Sequence, residues 1–347
     1  MKPEYLQQSV ARRPGMYHPG HGIRLRGSGH THTGQVRDNN EDSIHLWTPQ
    51  EHIVLAVVAD GMGGAVAGEE ASRIVIETIQ AGLTQAIERP PEDYNTMSER
   101  DLVHALTHTI QQANSNIFQQ ATESPELKGM GTTVTLAIVR NTHIVVGHVG
   151  DSRAYLVNGN TGEISQITND HSFVQALIDG GHITPEEAEN HPMGNVLYRA
   201  LGQAQDVEVD IYYETLQNKD RLILCSDGLT THVKAREIAE LALQYDDPDV
   251  ISQKLIELAN SRGGRDNVSV IVVIMDKDQD DDDSDDTDSE IDMNATKPTR
   301  PEALGEAIER DQIKRATQET HMVDFAAQDT RVLGASGEGR DPSKARQ

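Results

Sequence analysis

The sequence predicts an α+β domain over residues 23–275, and two observations predict it. Apolar runs of strand length recur, among them 52–59 (HIVLAVVA), 142–149 (THIVVGHV) and 267–275 (NVSVIVVIM). Between them lie stretches with apolar residues every three or four positions, the period of a helix that buries one face.

The elements follow in order. Residues 1–22 contain Pro, Gly and His without periodicity and read as a flexible N-terminal arm. The run at 52–59 is continuously apolar, the pattern of a strand buried on both faces. Ala71, Val75, Ile79 and Leu83 predict a helix over 67–87. A second helix opens with Ser98 and Asp101 in capping-box positions and buries Leu102, Leu106, Ile110, Ala113 and Ile117. Residues 132–139, 142–149 and 154–168 read as strands joined by tight turns. Strands at 221–226 and 267–275 flank helices at about 235–244 and 249–261, the second closed by Gly263-Gly264. Residues 276–292 carry eleven acidic groups against one lysine and are expected to form a disordered linker. Residues 293–347 form a C-terminal tail, mostly disordered, with a short helix expected over 302–318.

Bulk properties narrow the function. The chain of 347 residues carries a net charge of −26, which disfavours nucleic acid and anionic membrane as partners. No stretch approaches ~18 consecutive apolar residues, and no apolar segment follows Arg12-Arg13, so neither a membrane span nor a secretory signal is expected. One cysteine, Cys225, fits a reducing compartment, and the expected location is cytoplasmic. An acidic domain that binds an anion needs cations to mediate.

The acids are patterned. Three apolar strands run out into Asp60, Asp151 and Asp227, and two strands are entered from acids, one from Asp266 and one from Glu41-Asp42, with Arg37 just upstream. Each alone reads as an ordinary turn aspartate. Neighbouring antiparallel strands enter and leave a sheet at the same rim, so the set can converge. Converging carboxylates repel unless cations neutralise them, and all-oxygen ligation suits Mg²⁺ or Mn²⁺ better than zinc.

The ordered set RDNNED, VVADGMGGAVAGEEAS, GMGTTVTLAIV, GHVGDSRAYL, ITNDHSFVQALIDGGHITPEEAENHP, YRALG, LCSDGL and GGRDNVSVIVV covers about residues 27–275. It resembles the bacterial metal-dependent protein phosphatases of type 2C. The resemblance implies a four-layer α/β/β/α sandwich, two antiparallel sheets flanked by helices, with the metals at one end of the sheets. It implies that Asp60 bridges two metals while the Gly61 carbonyl ligates one. Asp227 and Asp266 would complete the other metal's protein ligands, with Glu41 and Asp42 acting through water. A third metal would sit on Asp151, shared with Asp227. Two close metals lower the pKa of a bridging water, which then attacks the phosphorus directly, and Arg37 grips the phosphate as a planar fork.

The implied activity is hydrolysis of phosphoserine and phosphothreonine in proteins, reversing a bacterial kinase. A metal-dependent phosphatase on a small phosphoester is the second reading, and a pseudophosphatase binding module the third. Met62 stands where eukaryotic members carry a histidine credited as proton donor, which leaves a metal-bound water for that role. Cys225, inside an apolar strand, reads as a core thiol rather than a nucleophile. His148 reads as structural, and His30 and His32 as exposed loop histidines. Residues 168–200 match the family's flap, with a helix start at Thr184-Pro185-Glu186-Glu187. Thr317, Thr320 and Thr330 lie in polar contexts open to kinases, so a cognate kinase or a phosphopeptide-binding protein is the expected partner of the tail.

Overall fold

The computed structural model describes residues 22–84 and 98–277. The predicted arm up to residue 21, the linker from residue 278 and the whole tail lie outside them. Eleven strands are described: β1 (Ile23–His32), β2 (Asp42–Gln50), β3 (Ile53–Met62), β4 (Gly131–Thr132), β5 (Val134–Arg140), β6 (His143–Val149), β7 (Arg153–Val157), β8 (Ile164–Gln166), β9 (Asp210–Thr215), β10 (Arg221–Cys225) and β11 (Val268–Lys277). The described helices are α1 (Ala65–Ile79), α2 (Glu99–Glu123), α3 (Phe173–Asp179), α4 (Pro185–Ala188), α5 (Asp227–Thr230), α6 (Ala235–Gln244) and α7 (Pro248–Ser261).

The strands form two antiparallel sheets. One has the order β1-β11-β10-β7-β8, and the other β2-β3-β5-β6-β9 with β4 attached to β3. Alternation along β3 shows how they stack. Ile53, Leu55, Val57 and Ala59 pack with α1 and α2, while Val54, Ala56 and Val58 face the other sheet. In β11, Val268, Val270, Val272 and Ile274 pack with α6 and α7, while Ile271, Val273 and Met275 face inward. Both strands are buried on two faces, hence their unbroken apolar runs. The result is the predicted four-layer sandwich.

Local chemistry sets the element ends. Ser98 caps α2 by accepting the Asp101 N–H at 3.2 Å, and its hydroxyl donates to the Asp101 carboxylate at 2.7 Å. The expected reciprocal box is therefore closed side chain to side chain, and such caps contribute about 1 kcal/mol. Thr184 and Glu187 form a full capping box at α4, as predicted. Past α7, the Gly264 N–H returns to the Ala259 carbonyl at 3.2 Å, with both glycines at positive φ.

Three expectations need correcting. β11 runs through Lys277, two residues beyond the predicted end, because Asp276 is bonded to Arg26 at 2.6 Å and Lys219 at 2.9 Å. β9 is absent from the sequence reading. His30 is not an exposed loop residue: it lies in β1, 2 % exposed, with Nδ1 2.8 Å from Ser252 Oγ. His32 also belongs to β1 and accepts the Gly34 N–H at 2.9 Å.

Candidate metal centre and phosphate site

Asp42 opens β2 and sits directly opposite Asp60 in β3. Asp151 lies in the turn from β6 to β7, Asp227 opens α5 immediately after β10, and Asp266 stands two residues ahead of β11. Glu41 precedes β2. The predicted convergence occurs: Asp60 feels the charges of Asp42, Asp227 and Asp151, and Asp42 those of Asp227 and Asp266. Asp60 does not end its strand as expected. β3 continues through Gly61 and Met62, which pair with Thr132 and Gly131 of β4.

The backbone around Asp60 is tightly held. Its carbonyl accepts the Thr133 N–H at 2.9 Å and the Thr132 hydroxyl at 2.8 Å, and its N–H donates to Thr133 Oγ1 at 3.0 Å. Gly61 is required by close approach, since a Cβ there would stand 2.1 Å from the Gly68 carbonyl oxygen. Asp42 is buried and accepts hydroxyl bonds from Ser226 (2.8 Å) and Ser269 (2.7 Å) on one oxygen. Among the described residues no donor reaches its other oxygen, Oδ1.

Electrostatics at this rim is unfavourable to ionised acids. Burial first, then Asp227 and Asp266, hold the Asp42 carboxyl up at about 7, against the two serine bonds. Burial and neighbouring carboxylates push Asp60 and Asp151 well above the usual range, and Asp227 upward. Burial likewise raises Glu41. Among the described residues, one arginine compensates at each side of the rim. Arg153 lowers Asp151 and Asp227 through its charge. Arg37, half exposed, donates from Nη2 to Asp266 Oδ2 at 2.8 Å. Burial opposes the Arg37 charge, but the Asp266 bond and the charges of Asp266, Glu41 and Asp60 outweigh it.

Sequence reasoning missed the residues that hold this rim. Asn267 accepts the Glu41 N–H at 2.8 Å and donates to the Thr33 and Asn39 carbonyls, both at 2.9 Å. It thereby fixes the loop that carries Arg37, and its place directly after Asp266 was the available signal. Arg153 clamps Asp170 through Nε at 2.9 Å and Nη2 at 2.6 Å. Met62 Sδ lies 3.6 Å from Gln203 Nε2. Among the described residues no three or more His, Cys, Asp and Glu side chains form a group able to hold an ion as arranged. Arg37 draws Asp266 to itself and the serines draw Asp42, so the acids meet through charge rather than through a preset cage. The donor chemistry nonetheless fits hard divalent cations, being all oxygen with a buried, unpartnered Asp42 oxygen.

Two other expectations hold. Cys225 is fully buried and burial pushes its thiol up to about 12. His148 is buried, with Nδ1 3.0 Å from Thr135 Oγ1 and Nε2 3.2 Å from the Asn169 carbonyl.

Residues 26–260 match the family described as protein phosphatase 2C. The chain belongs to the protein phosphatase 2C family. The matched span includes Arg37, Glu41, Asp42, Asp60, Asp151 and Asp227 and stops short of Asp266. A relative in Listeria welshimeri, the serine/threonine phosphatase stp, is 36% identical over 241 residues, covering 70% of this chain and 92% of the relative. Two solved structures share the fold. The Streptococcus agalactiae serine/threonine phosphatase superposes with a TM-score of 0.65 at 34% identity, over 72% of this chain and 98% of that one. The catalytic domain of PstP, in complex with two manganese ions, gives 0.62 at 37% identity, over 74% of this chain and 100% of that one. The chain is thus a protein phosphatase 2C enzyme, a phosphoprotein phosphatase. No described helix is long and apolar enough to cross a membrane.

Proposed function

We propose that this protein phosphatase 2C chain hydrolyses phosphoserine and phosphothreonine in proteins, with Mn²⁺ or Mg²⁺ held on the carboxylate rim. The observation that carries the reading is the meeting of five aspartates at one rim of the two sheets beside one half-exposed guanidinium. In this reading Asp60, the Gly61 carbonyl, Asp227 and Asp266 would hold the ions. Glu41 and Asp42 would contribute through water, and Asp151 with Asp227 would hold a further ion. When bound, such ions neutralise phosphate charge and supply an activated water near neutral pH.

The chain's own residues do the rest. Arg37 presents a planar fork to the phosphate oxygens, oriented by its bond to Asp266. Asn267 keeps that fork on the rim by pinning Glu41 and Asn39. No side-chain nucleophile is needed: the one thiol is buried and held protonated, and water is the attacking group. Met62 leaves the proton for the departing alkoxide without a side-chain donor at that position. The catalytic unit spans residues 23–277 in this reading, the enzyme works in the cytoplasm, and it reverses a serine/threonine kinase. The tail at 293–347, outside the described residues, docks that kinase or a phosphopeptide-binding protein. Loss of binding on deletion from residue 278, with activity kept, tests the docking.

The experiment that separates substrate classes compares a phosphothreonine peptide with p-nitrophenyl phosphate in Mn²⁺. The reading predicts the higher kcat/KM on the peptide. Preference for the small phosphoester would overturn it.

A further inference from the structure

Two consecutive residues of the segment between β8 and α3 reach the two sides of Asp151. Asp170, 5 % exposed, takes the Arg153 guanidinium in the paired bonds described above. His171, 2 % exposed, takes Gly150: its ring Nδ1 accepts the Gly150 N–H at 3.0 Å, and its own N–H donates to the Gly150 carbonyl at 2.7 Å. Gly150 cannot yield on its other side. It has φ +113°, and a Cβ there would stand 2.5 Å from the Thr133 Cβ. Thr133 is the residue that holds the backbone of Asp60.

The far side of the His171 ring is anchored as well. Because Nδ1 accepts, the proton is assigned to Nε2, which donates to Asp210 Oδ2 at 3.2 Å. Asp210 Oδ1 accepts Arg199 Nη1 at 2.6 Å, and that same nitrogen lies 3.2 Å from Nε2. Burial opposes the Asp210 charge, but His171 and Arg199 outweigh it and hold its carboxyl below the usual range. Arg199 stands at the return of segment 172–199, which also begins and ends on His171: Tyr198 N–H donates to the His171 carbonyl at 3.0 Å, and Ser172 bridges Leu197.

We propose that His171 is a positioning residue for Asp151: with Asp170 it clasps the 150–153 turn, and through Asp210 and Arg199 it ties that turn to segment 172–199. This rests on the reading of Asp151 as a cation ligand. The clasp sets the distance from Asp151 to Asp227, and so governs the cation position on Asp151, to which the proposal assigns the weakest step, rather than the pair at Asp60. A partner behind a ligand acts in this way, by orienting it. Segment 172–199 and the Asp151 turn then move together or not at all.

The test is a calorimetric Mn²⁺ titration of the full chain, paired with limited proteolysis of segment 172–199. His171→Gln keeps a donor toward Asp210 but loses the acceptor for Gly150. It is expected to weaken the weakest Mn²⁺ step about tenfold, leave the tighter steps in place and speed cleavage. His171→Asn keeps an acceptor at the Nδ1 position and is expected to restore the weak step. Asp210→Asn, which keeps shape and removes the anchoring charge, is expected to shift the weak step in the same direction as His171→Gln, and it decides the matter if His171→Gln does not fold. Unchanged Mn²⁺ binding in His171→Gln and Asp210→Asn, or equal weakening of every step, would overturn the clasp. A wild-type chain that binds no Mn²⁺ would instead refute the reading of the metal centre, while proteolysis still reports on the clasp.

Discussion

Arg37 Nη2 and Asp266 Oδ2 are 2.8 Å apart, so the residue proposed to grip phosphate is hydrogen-bonded to one proposed to ligate a cation. Binding of either partner therefore changes what the other touches. Arg37→Ala is expected to lower kcat/KM on a phosphothreonine peptide about a hundredfold and to shift the Mn²⁺ concentration for half-maximal activity. Arg37→Lys should rescue little, because an ammonium lacks the planar fork. Steady-state kinetics across a Mn²⁺ series checks both, and an unchanged Mn²⁺ requirement in Arg37→Ala would separate the two roles.

Asp60→Asn and Asp227→Asn are each expected to cut turnover about a thousandfold or more, since each removes the charge of a proposed cation ligand. Stability should move the other way. Both carboxyls are raised in the fold, by burial and by neighbouring acids. The native state thus binds their protons more tightly than the unfolded chain, and stability is lost as pH rises above the unfolded value near 4. At pH 7.5 without divalent ions, each variant should therefore melt above the wild type. Calorimetry in EDTA checks the sign.

Cys225→Ser should keep full activity when folded. The thiol lies at 0 % exposure in an apolar cluster and is pushed up to about 12 by burial. A hydroxyl in that apolar setting costs about 1–3 kcal/mol, read as a lower urea midpoint with unchanged kcat. An inactive but folded variant would reopen the question of a cysteine nucleophile.

Acid should expose the buried histidines. Burial holds His148 down at about 3, and burial lowers His30 against the pull of Asp249. The folded rings stay neutral while the unfolded chain takes up protons near 6.5, so their contribution is intact above that pH and is lost as pH falls toward 3. For His148 the loss between pH 7 and pH 5 is about 2 kcal/mol. Urea unfolding of His148→Gln at the two pH values should show a pH dependence flatter by that amount.

The strands and the rim acids were legible because each signal was local, while the four-layer sandwich came from the family resemblance. Asp60, Asp151, Asp227 and Asp266 stand at the ends of apolar runs, and the runs in β3 and β11 are continuous because both their faces are buried. What was illegible depends on contacts across the chain. His30 sits in a strand with two glycines and five other polar or charged residues, and only its contacts with α7, Ser252 first, reveal that it is buried. β9 carries the short stretch DIYYET, whose last three residues are exposed, so no apolar period marks it. Asp170 and His171 looked like flap residues until Gly150 and Arg153 came to lie against them. The arrangement of donors at the rim also departs from the expected cage, because Arg37 and two serines compete for the acids.

Phosphate release from a phosphothreonine peptide, followed as Mn²⁺ is added and then removed with EDTA, tests the central claim most directly. The account predicts hydrolysis that requires the added ion, stops on chelation, returns when Mn²⁺ is restored and is absent in Asp60→Asn. Hydrolysis that persists in EDTA, or in Asp60→Asn, would contradict it.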